Sequence, residues 1–188
     1  MQRLPFAFSL VALLACASTP AQTARQNASE VADMCANTRC QRNVRVTLTD
    51  KSGATFDRTF ETFPAVVQPL GIVVLAGQTV YIEADVVDGK LTNLVAVGRV
   101  RDPGKTITAT FEQADGKDML LTVMNPFPKN LKFNMGLMLL DQERLVKTSS
   151  CPIGPGLKSF EHWPYPIFQV VLARGHLLAE DSKLACVD

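Results

Sequence analysis

From Val44 the chain alternates apolar and polar residues, with Val44, Val46 and Leu48 set against Arg45, Thr47 and Thr49. A period of two sends successive side chains to opposite faces, so this stretch predicts a half-buried β-strand. Asp50-Lys51-Ser52-Gly53 has the composition of a turn, and Thr55 to Phe63 predicts a second strand with Phe56 and Phe60 on one face. Pro64 and Pro69 break the next segment, and Leu70 to Leu75 is a short apolar run. After Gly77-Gln78 the alternation resumes, with Val80, Ile82, Ala84 and Val86 against Tyr81, Glu83, Asp85 and Val87. Asp88-Gly89 then supplies the positive-φ positions of a tight hairpin leading into a return strand over Leu91 to Val100.

The same punctuation continues. Asp102-Pro103-Gly104 and Asp115-Gly116 read as turns on either side of a strand over Thr106 to Glu112, and Met119 to Met124 follows as another. Asn125-Pro126-Phe127-Pro128 is a rigid loop, Leu131, Phe133 and Met135 alternate with Lys132 and Asn134, and Leu145 to Ser149 predicts a return strand. Cys151-Pro152-Ile153-Gly154-Pro155-Gly156 is incompatible with regular structure, and Ile167 to Ala173 and Leu177 to Glu180 close the series. The pattern predicts an all-β chain of about nine or ten short strands in an antiparallel β-sandwich, with an immunoglobulin-like layout as one form of it. No internal repeat is visible.

The N-terminus reads differently. Met1-Gln2-Arg3 is a basic start, and Leu4 to Ala15 is a mostly apolar run that suits a secretory signal and is short for a bilayer span. Leu13-Leu14-Ala15-Cys16 resembles the lipobox of bacterial lipoproteins, which implies lipidation at Cys16. Cleavage at Ala15-Cys16-Ala17 or Thr19-Pro20-Ala21 is the alternative and discards that cysteine. The expected organisation is a signal over residues 1–17, a small and polar tether with a short helical segment over 18–34, and one β-sandwich domain over 35–188. Within the tether, Ser29 to Cys35 predicts a helical turn or two capped by Ser29.

Either route leaves Cys35, Cys40, Cys151 and Cys186, an even number in an exported chain, and disulfides are the default there. Local pairing, Cys35 with Cys40 and Cys151 with Cys186, is the simplest of three connectivities. On the chain-entropy model these loops are worth about 2 and about 4 kcal/mol. A zinc site on Cys-x4-Cys would need a second close ligand pair, which the chain does not offer.

Loss of residues 1–15 removes Arg3 and no acid, leaving 18 basic residues against 18 acidic. The basic residues are scattered, so no nucleic-acid or anionic-lipid footprint follows. The only expected link to a membrane is a lipid anchor at Cys16. The expected location is the periplasm or a lipid-anchored position at the outer membrane, with secretion as the alternative.

Phosphate loops, nucleophile elbows and paired-histidine metal motifs are all missing, and nothing points to a cofactor. The best candidate site is the segment holding Phe160, Glu161, His162, Trp163 and Tyr165, stiffened by Pro164 and Pro166. Its rings offer a platform for a small ligand or an envelope protein, and equally a plug for one end of the sandwich. Glu161 beside His162 suggests acid–base chemistry, with Ser149 or Ser150 as a nucleophile supplied by the fold. Neighbours on a strand nevertheless point to opposite faces. Met119, Met124, Met135 and Met138 raise a copper site, because thioethers are soft ligands, but they sit in apolar strands as core filler would. Glu83 and Asp85 share a strand face, the spacing of any i,i+2 pair. The expected function is a non-catalytic binding or assembly module of the cell envelope. The alternatives are an envelope hydrolase using His162 or His176, and a copper carrier using Met and His.

Overall fold

The computed structural model describes residues 31, 33–36, 39–114, 116–140, 142 and 144–186. The expected signal and Cys16 lie outside the described residues. Of the tether's expected helical segment, Val31 and residues 33–36 are helical.

Twelve strands follow: β1 (Gln41–Thr49), β2 (Thr55–Phe63), β3 (Val67–Gln68), β4 (Gly71–Leu75), β5 (Gln78–Val87), β6 (Lys90–Val97), β7 (Thr106–Gln113), β8 (Met119–Met124), β9 (Leu131–Leu139), β10 (Leu145–Thr148), β11 (Lys158–Trp163) and β12 (Ile167–Leu177). Every pairing is antiparallel. β1 and β2 form a separate hairpin, and the other ten make one sheet along the path β10-β9-β12-β6-β5-β7-β8-β11, with β4 added to β12 and β3 to β4.

Two strands carry the chain between the halves of that sheet. β4 pairs with β12, whereas β5, which continues it, pairs with β6 and β7. The bend between them falls at Ala76 and Gly77, and Gly77 has a φ of 83°, a conformation glycine adopts without Cβ strain. Its backbone donors are shared between the halves: Ala76 N donates to Phe168 O of β12 at 3.0 Å, and Gly77 N to Phe111 O of β7 at 2.8 Å. The second crossing is in β12, which pairs with β4 over Gln169–Leu172, bulges at Arg174 and Gly175, and then sets His176 opposite Lys90 of β6. Bends and bulges of this kind are how strands pass from one packed sheet to the other.

The inner face is apolar in both halves. Val80, Ile82, Ile107, Ala109, Phe111, Met119, Leu121 and Val123 from one half join Ile72, Val74, Leu131, Leu137, Val170 and Leu172 from the other in one buried cluster. The layout is compatible with the sandwich expected from the alternation, and the all-β, antiparallel class is established. β4 is buried along its whole length, which is why it reads as a continuous apolar run rather than an alternating one. Beside it, the β1–β2 hairpin packs Phe56, Phe60 and Phe63 around Phe168 of β12, with ring centroids 5.8 to 6.2 Å from that ring. Gln113 clamps the hairpin from the sheet, its side-chain amide accepting from Thr49 N at 2.7 Å and donating to Thr49 O at 3.0 Å.

Both disulfides take the local pairing, Cys35–Cys40 and Cys151–Cys186. The second ties the C-terminal tail to the segment after β10.

Three expectations differ from the structure. β11 is a strand that the alternation did not mark, because its inward positions are Ser159, Glu161 and Trp163 while Phe160 faces out. β12 is one strand through Leu177 rather than two, the bulge absorbing Arg174 and Gly175, and no strand covers Leu178 to Glu180. Lys132, expected on a polar face, is buried; its ammonium donates to Ser150 O, and Ser150 Oγ donates to Phe133 O at 2.5 Å.

Gly71 has a φ of 140°, and a Cβ there would overlap the Leu172 carbonyl oxygen of β12. Gly53, at a φ of 91°, faces open space. Gly71→Ala is therefore expected to destabilise the oxidised protein by at least about 2 kcal/mol, and Gly53→Ala by about 1 kcal/mol. Urea denaturation of the two variants checks the difference, and equal effects would remove the β4–β12 approach as its cause.

Candidate functional site

β11 arises because Lys158 to Trp163 pairs residue for residue with Met124 to Met119 of β8. Strand alternation then divides the candidate residues. Phe160 and His162 stand on the outer face, and Glu161 and Trp163 on the inner. Tyr165 lies in the turn to β12, half-buried against the core.

On the inner face, Trp163 is 7% exposed and meets Phe111 edge to face at 6.3 Å. Its indole Nε1 reaches Thr148 Oγ1 of β10 at 3.5 Å, a long contact that is the weaker part of its anchoring. Glu161 accepts from Cys151 N at 3.4 Å, so the carboxylate faces the disulfide segment rather than His162.

On the outer face, Phe160 is 65% exposed. It stands at the end of a cross-strand row with Thr122, Thr110 and Thr79, and the last two hydroxyls bond at 3.0 Å. His162 Nε2 lies 2.9 Å from Asp118 Oδ2 with both side chains about half exposed. Asp118 has no sequence signal of its own, since it is brought to His162 only by the β8–β11 register. Among the described residues no serine hydroxyl is hydrogen-bonded to His162, and of the expected nucleophiles Ser149 and Ser150 the latter is buried and committed to Phe133 O. His176 sits on β12, its Nδ1 at 2.9 Å from Arg174 O.

The methionines are not gathered. Met119 and Met124 occupy opposite ends of β8, Met119 and Met135 are buried in the core, and Met138 faces away from Met135. Among the described residues no group of three or more His, Cys, Asp or Glu side chains is placed to hold a metal ion. A bulge separates Glu83 from Asp85, and Asp85 Oδ2 accepts from Asn93 Nδ2 at 3.0 Å.

Asp50, Asp57 and Arg45, at the surface of the β1–β2 hairpin, have displaced ionisation. The Ser52 hydroxyl holds the Asp50 carboxyl below its usual range, with the backbone donors of Ser52, Gly53 and Ala54 acting the same way. The Arg45 side chain, bonded to Asp57 at 2.5 and 2.8 Å, lowers the Asp57 carboxyl and is itself raised.

No protein-family profile, curated protein or solved structure matches the chain. The fold and its bridges define an all-β, disulfide-bonded protein suited to an oxidising, extracytoplasmic setting. Among the described residues no helix is long and apolar enough to cross a membrane.

Trp163 and Phe160, three residues apart, have opposite energetic roles. Trp163→Ala empties a core position and is expected to destabilise the protein by about 3–5 kcal/mol. Phe160→Ala removes a largely exposed ring and is expected to change stability by no more than about 0.5 kcal/mol. Denaturant midpoints of the two variants decide this, and a destabilised Phe160→Ala would mean that the outer face is covered by another part of the protein.

Proposed function

We propose that the chain is an exported, non-catalytic binding module of the cell envelope that captures an extended segment of a partner protein along β11. The observation that carries this reading is that β11 is a terminal strand of the sheet, hydrogen-bonded to β8 on one side, with Phe160 largely exposed upon it. An edge strand offers unpaired backbone donors and acceptors, and a partner strand added there gains main-chain hydrogen bonds while alternate side chains set specificity. Leu157, 61% exposed at the start of the strand, extends the apolar part of that edge. Cleavage after the N-terminal signal places the module in the periplasm or, with a lipid on Cys16, at the outer membrane facing its partner.

An envelope hydrolase is the second reading, supported by the His162–Asp118 pair, since a carboxylate at that distance orients an imidazole for proton transfer.

The test is site-specific photocrosslinking in the native envelope, with benzoylphenylalanine placed at position 160 and, as the control, at Val95 on the outer face of β6. A discrete adduct from position 160, absent from position 95 and mapping to one extended partner segment, is the expected result. Phe160→Lys is expected to abolish co-purification of that partner by placing a charge on the edge. If partner recovery is unchanged by Phe160→Lys and position 160 yields no adduct, strand capture on β11 is wrong. Hydrolysis lost on His162→Ala would instead favour the enzyme.

A further inference from the structure

The pairing of β12 leaves a gap. On one side it is bonded to β4 as far as Leu172 and to β6 only from His176, so Ala173, Arg174 and Gly175 have no strand beside them there. Of these, Arg174 and Gly175 form the bulge in the β12–β9 ladder, while Ala173 still pairs with Asn134. A cleft of about 220 Å³ opens at this place, between the β3–β4 turn, β6 and β9.

Its walls combine apolar side chains with Gln68 and backbone polar groups. Leu70, Leu91, Leu94, Phe133 and Leu172 line it, and Leu70 projects at the tip of the β3–β4 turn with 65% of its surface exposed. Two glycines set its shape. A Cβ on Gly175 would stand 2.5 Å from Leu91 Cδ1 and 2.7 Å from Phe133 Cε1, and a Cβ on Gly71 would strike the β12 backbone. Only bare backbone lets these walls approach so closely.

Arg174 completes the lining. It has a φ of 51°, an uncommon conformation for a residue with a side chain, imposed here by the bulge. Bulges re-aim side chains, and Arg174, itself exposed, is brought by this one to the lining of the cleft. The Arg174 guanidinium makes no hydrogen bond or ion pair with any described residue, its carbonyl alone being engaged by His176.

We infer that this cleft binds a free single-chain amphiphile with an anionic head, its alkyl chain against Leu70, Leu91, Leu94 and Phe133 and its carboxylate on Arg174. The volume is below that of a typical drug-sized site, which favours a flexible chain over a ring system. Charge selects the head group, because a guanidinium fork matches a carboxylate and repels a cation. The site lies on different strands from the β11 edge and does not depend on the function proposed for that edge.

The test is calorimetric titration of the full mature protein with hexanoate, octanoate and decanoate below their micelle concentrations. Affinity is expected to rise about fourfold per added methylene until the cleft is filled, then level off. Arg174→Gln is expected to weaken decanoate by about tenfold or more and leave decanol binding unchanged, with Arg174→Lys restoring part of the loss. Leu70→Gln is expected to weaken both ligands, with the urea midpoint unchanged because that side chain is exposed. No saturable decanoate binding, or equal binding by Arg174→Gln, overturns the inference. Adsorption to phosphatidylglycerol vesicles without decanoate binding also overturns it and makes Leu70 and Arg174 a membrane contact.

Discussion

The structure depends on two bent strands that belong to both halves of the sheet. An antiparallel sheet with one apolar face has to bury that face, and here the partner is the far part of the same sheet. Bending a strand out of one ladder and into another strands its backbone groups, and an unsatisfied buried donor costs about 1–3 kcal/mol. At the β4–β5 corner the cost is avoided because Ala76 and Gly77 send one donor to each half. At the β12 corner Leu177 N reaches Gly89 O of the β5–β6 hairpin at 2.6 Å, while Arg174 and Gly175 stay out of the ladder. The first corner closes tightly and the second leaves the cleft.

The β1–β2 hairpin adds to this body through its rings and its glutamine contacts. Gln113 holds Thr49, and Gln78 Nε2 donates to Gln41 Oε1 at 3.0 Å, fixing both ends of β1. The displaced carboxyls of Asp50 and Asp57 belong to the same element. A carboxyl held below its unfolded value of about 3.9 contributes stability above that pH and loses it as the pH falls through the folded value. Both lie at the surface, so solvent screens the contribution, and they are explained by a turn and a surface pair. Perturbed ionisation often marks a functional site. On this hairpin it marks a turn at Asp50 and a cross-strand ion pair at Asp57.

Most of the strands were legible because burial on one face imposes a period of two. β1, β2 and β8 fall where the alternation and the turn residues put them, and Asp88 and Gly89 both have positive φ, as a tight hairpin requires. β11 was illegible because its inward glutamate bonds the Cys151 backbone and its outward phenylalanine is exposed, so polarity there no longer reports burial. The pleat splits the candidate segment into an exposed Phe160–His162 face and a buried Trp163, so the platform and the core plug, both legible as alternatives, fall on different residues. The Arg174 cleft had one sequence signal, a lone Arg-Gly inside an apolar run, which is how a bulge reads. Which residues that bulge would face depended on β6 and β9, both distant in sequence.

The two proposed sites follow from one property of the sheet. Its path does not close: β10 and β11 are its ends, and they approach through Trp163 and Thr148 without pairing. Open edges are usually blunted by shortness, charge or proline. β10 is four residues long, too short to be a good template even though Leu145 and Val146 are exposed. β11 is longer, and its outward positions are Lys158, Phe160 and His162, so the Lys158 cation and the His162–Asp118 pair flank an apolar centre. Flanking charge discourages indiscriminate pairing while leaving the centre available to a strand of the right sequence. The gap beside β12 obeys the same logic inside the sheet, where missing pairing leaves apolar side chains and a single cation. In both places the backbone's demand for a neighbour is unmet, and the side chains around it determine which neighbour fits.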